Sequence, residues 1–142
     1  MVMTVGVRVL DVHQRIYIAS GGRVGQRLGP TRNLLLHHVG AKTGQNRTNA
    51  LTYAPDGDSY LVVPSNGGAR RWPAWYHNLK AQPKVSVNIG TRRVDVQAEF
   101  VRQGNPDFDR VWSLANKHNG NRYRGYQKLT DRKMPVIRLS PR

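Results

Sequence analysis

From Asn33 onward, apolar and polar residues alternate in short runs broken by glycine, a period that predicts strands joined by hairpins. "NLLLHHVG" is an apolar run ending in glycine. "TNALTYAPDGDSYLVVPS" reads as two strands about Asp56-Gly57-Asp58, where Asp-Gly supplies the positive φ of a tight turn. "KVSVNIGTRRVDVQAEFV" alternates about Gly90-Thr91, with Val85, Val87 and Ile89 on one face and Val94 and Val96 on the next strand. A last strand is expected over Val136 to Leu139. Elsewhere the period is helical. Val9, Val12, Ile16 and Tyr17 define an amphipathic helix over Arg8 to Ser20, closed by Gly21 and Gly22, and "GGRVGQRLGPTR" is loop. "PAWYHNLKAQP" is a helix opened by Pro73 in its first turn and closed before Pro83, and "NPDFDRVWSLANKH" a helix with Asn105 as N-cap and Pro106 at its first position. "NRYRGYQKLTDR" is a short turn or helix. The sum is roughly six antiparallel strands with flanking helices, a mainly β chain that closes as a small barrel, since the hairpin turns are too short for parallel crossovers.

At 142 residues the chain is one domain, expected as an N-terminal helix and loop (1–29) leading into the barrel (30–142). Cysteine is absent, which excludes disulfides, thiolate nucleophiles and cysteine metal sites. There is no apolar run near the ~20 residues of a membrane span, and "MVMTVGVRVLDVHQR" lacks the features of a secretory leader. The expectation is a cytoplasmic, soluble protein. Charge changes the picture most: 23 Lys+Arg against 8 Asp+Glu give +15, a surface that attracts nucleic acid, anionic lipid or a polyanionic small molecule. The cations are spread along the chain instead of forming a polybasic tail.

Two segments point such a surface at a ligand. In "GAKTGQNR", Gly40 and Gly44 let the backbone approach a ligand and turn N–H groups toward it, while Lys42 and Arg47 can converge on phosphate. This is not the P-loop pattern, and a plain hairpin explains the same residues. In "SNGGARRWPAWYHN", Ser65 to Gly68 form a bare strand end, and the helix from Pro73 presents its N-terminus nearby. Trp72 and Trp75 suit either a core or the wall of a planar ring; Asn78, on the same helix face as Trp75, favours the pocket. The histidines have no partners at metal-ligand spacing, and neither paired carboxylates nor an activated hydroxyl stand out. Any chemistry therefore falls to a bound cofactor.

Three stretches in order, "LLLHHVGAKTGQNRTNALTY", "YLVVPSNGG…PAWYHNLKAQPKVSVNIG" and "YRGYQKLTDRKMPVIRLSP", resemble the deazaflavin-dependent nitroreductases of actinobacteria, users of coenzyme F420. The likeness covers residues 30–141. It implies a split β-barrel of the flavin-reductase, FMN-binding type. It implies phosphate contacts from Lys42 and Arg47, with Thr43 and Thr48 beside them. Val63, Pro64, Ser65, Asn66 and Gly67 would run along the ring, and Ala74, Trp75 and Asn78 would complete the phosphate side. Tyr123 and Tyr126 would cover the substrate and supply a proton. Asn66 stands where some relatives carry lysine, which shifts the grip toward Arg70 and Arg71. Gly120 stands where some carry an aromatic, which opens the substrate pocket.

The resemblance thus implies hydride transfer from the reduced deazaflavin to a flat electrophile: a quinone, an activated enone or a nitroaromatic. An FMN-dependent reductase or oxidase on the same barrel is the alternative. A nucleic-acid-binding module is the alternative of another class, and it is not expected, because the aromatic segment is half-buried instead of displayed for stacking. The Arg8–Ser20 helix leaves weak peripheral contact with the inner face of a membrane open.

Overall fold

The computed structural model describes residues 27–28 and 31–142. Seven strands occur there: β1 (Arg27–Leu28), β2 (Thr31–Val39), β3 (Asn46–Asp56), β4 (Ser59–Val62), β5 (Lys84–Ile89), β6 (Arg92–Val101) and β7 (Val136–Pro141). A 3-10 turn (Asn66–Gly68) and helix α1 (Ala74–Ala81) join β4 to β5, while α2 (Phe108–Lys117) and α3 (Arg122–Gln127) join β6 to β7. The sheet order is β1-β2-β3-β4-β7-β6-β5, and β5 pairs back onto β2. Every pairing is antiparallel, so β2 to β7 close into the expected six-stranded barrel.

Closure follows from the alternation. Leu34 and Leu36 of β2, Val87 of β5, Val96 of β6 and Ile137 and Leu139 of β7 point inward and are all fully buried. Leu36 opposes Val87 across the β2–β5 seam. Trp75, Tyr76 and Leu79 of α1 cap this interior. A second cluster lies outside the barrel wall, where Ala54, Leu61, Val63 and Val101 meet Phe108, Val111 and Ala115 of α2 and Tyr123 of α3. The unbroken apolar run Tyr60-Leu61-Val62-Val63 is explained by these two clusters: alternate residues serve the interior and the helices, so both faces of β4 are covered.

Four local expectations change. The Arg8–Ser20 helix lies outside the described residues. Arg27 and Leu28, read as loop, pair with Arg32 and Thr31. Pro73 is the N-cap of α1, one residue ahead of the helix. The helix expected from Pro106 begins at Phe108 with Asp107 as N-cap, because Asn105 caps a separate turn: its side chain accepts the Asp107 N–H (2.9 Å) and its carbonyl the Phe108 N–H (3.0 Å). The last strand also runs two residues further, to Pro141.

Candidate functional site

The glycine turn after β2 is held by the protein's own acceptors. Gly40 N–H donates to the Gln45 carbonyl (2.9 Å), Gly44 N–H to Gly40 (2.8 Å), and Ala41 N–H to Asn78 Oδ1 (2.8 Å). A Cβ on Gly40 would lie 2.5 Å from Thr43 Oγ1 and 3.3 Å from Arg47 Nε, so glycine lets these two side chains fold across the turn. The expectation that the whole turn offers its N–H groups to a ligand therefore narrows. Among the described residues only those of Lys42 and Thr43 stay uncommitted, beside exposed Lys42 and Arg47 side chains that form no ion pair.

Asn78 is buried, and both ends of its amide are used. Its Oδ1 takes the Ala41 N–H, while Nδ2 donates to Nδ1 of buried His38 (3.0 Å), whose Nε2 donates to Asn49 Oδ1 (2.7 Å). This direction requires a neutral His38. Burial, followed by the charges of Arg47 and His37, pushes its pKa below the ordinary 6.5, against the hydrogen bond with Asn49. Asn78 thus anchors the glycine turn, and one further amide proton and one oxygen lone pair remain. His38, which sequence reasoning passed over, supports it from a strand 40 residues away.

Two clefts flank the first turn of α1. One, of about 450 Å³, is lined by Gly40, Ala41, Lys42, Thr43, Arg47, Ala74, His77 and Asn78. It is basic, and the α1 N-terminus adds its partial positive charge. The other, of about 420 Å³, is lined by Ser65, Asn66, Gly67, Pro73 and Trp75, by Tyr123 and Tyr126 of α3, and by Ala50, Leu51 and Thr52 of β3. Both sizes suit a small-molecule ligand. Val63 and the unforeseen Asn119 and Arg122 border the second cleft as well.

Not every expected residue reaches these clefts. The Thr48 hydroxyl bonds His37 (3.1 Å) and faces a separate depression with Arg47, Lys84 and Arg93. Pro64 is buried, and its carbonyl accepts from Arg132 (3.3 Å). Trp72 stacks on Tyr76 at 4.1 Å, whereas Trp75 lines the ring-sized cleft. Arg70 lies in a third hollow with Lys128 and Arg132. Tyr123 is buried, and that burial drives its hydroxyl pKa well above the usual tyrosine value, with the Asn119 side chain opposing. It is a poorer acid than an ordinary tyrosine. The half-buried Tyr126 is the more accessible hydroxyl.

The sequence model of the family described as F420H(2)-dependent quinone reductase matches residues 9–141. The F420H(2)-dependent quinone reductase Rv1261c of Mycobacterium tuberculosis is 50% identical over 139 residues, covering 97% of this chain and 93% of its own. A solved structure described as an F420-H2 dependent reductase, FDR-A, superposes with a TM-score of 0.66 at 33% identity, over 76% of this chain and 93% of that one. Another, described as a domain-swapped dimer, superposes with a TM-score of 0.69 at 30% identity, over 96% and 100% of the two chains.

Proposed function

The chain belongs to the F420H(2)-dependent quinone reductase family, and on that premise we propose that it passes a hydride from reduced coenzyme F420 to a quinone. One observation carries the reading: a ring-sized cleft bordered by Pro73 and Trp75 and a basic cleft bordered by Ala74 and His77 lie beside the same first turn of α1. A ligand with a flat head and a phosphate arm needs that pair. Lys42 and Arg47 would hold the phosphate, with the Lys42 and Thr43 N–H groups and the α1 N-terminus adding to the field. Thr43 and Ala74 border the same space. Each charge-assisted bond adds about 1.5–3 kcal/mol, so a few suffice for micromolar binding.

Bound there, the reduced deazaflavin supplies the hydride. The protein's share is to orient and to exclude water. Val63, Ser65, Asn66, Gly67 and Trp75 would support the ring, while Tyr123 and Tyr126 cover the acceptor. The raised Tyr123 pKa suits a hydroxyl that donates a hydrogen bond and keeps its proton, which leaves the proton that completes reduction to the half-buried Tyr126 hydroxyl. An activated enone or a nitroaromatic offers the same electron-poor centre and belongs to the same proposed acceptor class.

Parallel titrations with oxidised F420 and with FMN test the cofactor. F420 should bind with micromolar affinity and FMN much more weakly. Preference for FMN would replace this reading with that of a flavin enzyme on the same barrel.

A further inference from the structure

Asn66 and Gly67, which line the ring-sized cleft, belong to a run of left-handed backbone. Asn66, Gly67 and Gly68 follow one another with φ of 46°, 64° and 81°. The two glycines take this region freely, but Asn66 does not, and a left-handed non-glycine persists where its surroundings hold it. Asn66 contributes a bond from its own side chain to the Arg71 carbonyl (3.0 Å). The larger restraint comes from a residue 67 positions away. Arg132 Nε donates to the Ala69 carbonyl (2.9 Å), Nη1 to Pro64 (3.3 Å) and Nη2 to Ser65 (2.9 Å). Its guanidinium carbon sits 4.5 Å from the centre of the Trp72 ring.

Arg132 is itself fixed from behind. Gln127 Nε2 donates to the Arg132 carbonyl (2.6 Å) and Oε1 accepts the Met134 N–H (3.0 Å). Among the described residues no carboxylate pairs with Arg132. A cation whose donors all go to one loop's carbonyls serves that loop. Only the planar guanidinium fork can reach three carbonyls while stacking on an indole; a lysine ammonium cannot.

The direction of those carbonyls matters. All peptide bonds here are trans, and in a trans peptide the N–H points opposite to the preceding carbonyl. Drawing the Ser65 carbonyl toward Arg132 therefore turns the Asn66 N–H away from it. Among the described residues the Asn66 and Gly67 N–H groups have no acceptor, and both residues line the cleft. We propose that Arg132 is a positioning residue of the reaction: it holds the Ser65–Ala69 backbone so that the Asn66 N–H is presented to an oxygen of the bound ring. The identity of that ring rests on the function proposed above; the hold on the loop does not.

The test uses Arg132→Lys and Arg132→Gln, with Arg110→Gln as a control that perturbs a surface ion cluster away from both clefts. Amide hydrogen exchange in the ligand-free protein should rise about tenfold or more at Gly68 and Ala69, whose N–H groups bond the Ser65 and Asn66 carbonyls (2.9 and 3.1 Å), with the barrel strands unchanged. The dissociation constant for F420 should rise about ten- to a hundredfold in both Arg132 variants, because a misplaced first contact is enough for that loss. Lysine should not rescue, the quinone KM should change little, and Arg110→Gln should bind F420 like the parent. Trp72→Leu, which removes the indole under Arg132 together with its stack on Tyr76 while leaving the Arg132 hydrogen bonds, should raise the same exchange rates by less, and it decides the matter if the Arg132 variants do not fold. Parental exchange and parental affinity in Arg132→Lys would overturn the proposal, as would unchanged exchange in Trp72→Leu. If the parent protein fails to bind F420, the proposed function falls while the exchange measurement still decides the role of Arg132.

Discussion

Gly67 and Gly68 share a left-handed backbone but differ in what surrounds them. A Cβ at Gly67 meets nothing within 4 Å, while one at Gly68 would lie 2.8 Å from the Tyr126 carbonyl oxygen and 3.0 Å from Leu129 Cβ. Gly67→Ala should therefore cost only the conformational strain, about 1–2 kcal/mol. Gly68→Ala should cost more, because α3 must also move, and scanning calorimetry of the two variants reads the difference. At Lys42 and Arg47, alanine should weaken F420 binding about ten- to a hundredfold each, from the lost charge-assisted bonds, and titration checks it. Asn78→Ala should weaken it as well, by releasing the Ala41 N–H that holds the glycine turn. The His38 link gives this a pH signature. Because its folded-state pKa lies below the unfolded 6.5, the unfolded chain takes up the proton first. The His38 share of stability is thus whole above pH 6.5 and is lost as pH falls from there toward the folded-state value. Denaturant melts across that window should show the slope, and His38→Gln should remove it.

At the scale of elements, the hairpins were legible because their signals are local: alternation, and glycine where a turn needs it. β4 was legible as a strand, but its unbroken apolar run only makes sense once α2 and α3 cover its outer face. The start of α2 was misjudged for a related reason. Local capping favours Asn105, yet Asp107 is held by Arg110 (2.7 Å) and by Arg138, which arrives on β7 from 31 residues away and also pairs with Glu99 (2.6 Å). No periodicity announces such a contact. The cluster has an acid consequence. The arginines hold the Asp107 pKa at about 2, below the ordinary 3.8, so its contribution is complete above pH 3.8 and is lost as pH falls toward 2. Arg138→Gln should flatten that limb of an acid unfolding curve, and an unchanged limb would show that the cluster contributes nothing there.

For the whole molecule, the sequence carried the barrel and most of the candidate site, since the glycine turn and the strand end are contiguous motifs. What it could not carry are the ties between segments distant along the chain: His38 to Asn78, Arg132 to Ser65, and the placement of two clefts beside one turn of α1. Nor could it carry the bonds that side chains of the motifs make within the protein, Asn78 Oδ1 to the Ala41 N–H and the Thr48 hydroxyl to His37. Among the described residues no helix is long and apolar enough to cross a membrane. The overall charge of +15 gains a specific use if the ligand is a phosphate-bearing, polyanionic cofactor. The most direct measurement is anaerobic turnover: reduced F420, menadione and the protein, followed by the return of the oxidised cofactor's absorbance. The account predicts a return that depends on the protein, saturates with menadione and is nearly abolished in a Lys42→Ala/Arg47→Ala double variant. No protein-dependent return with any quinone, enone or nitro compound would contradict it.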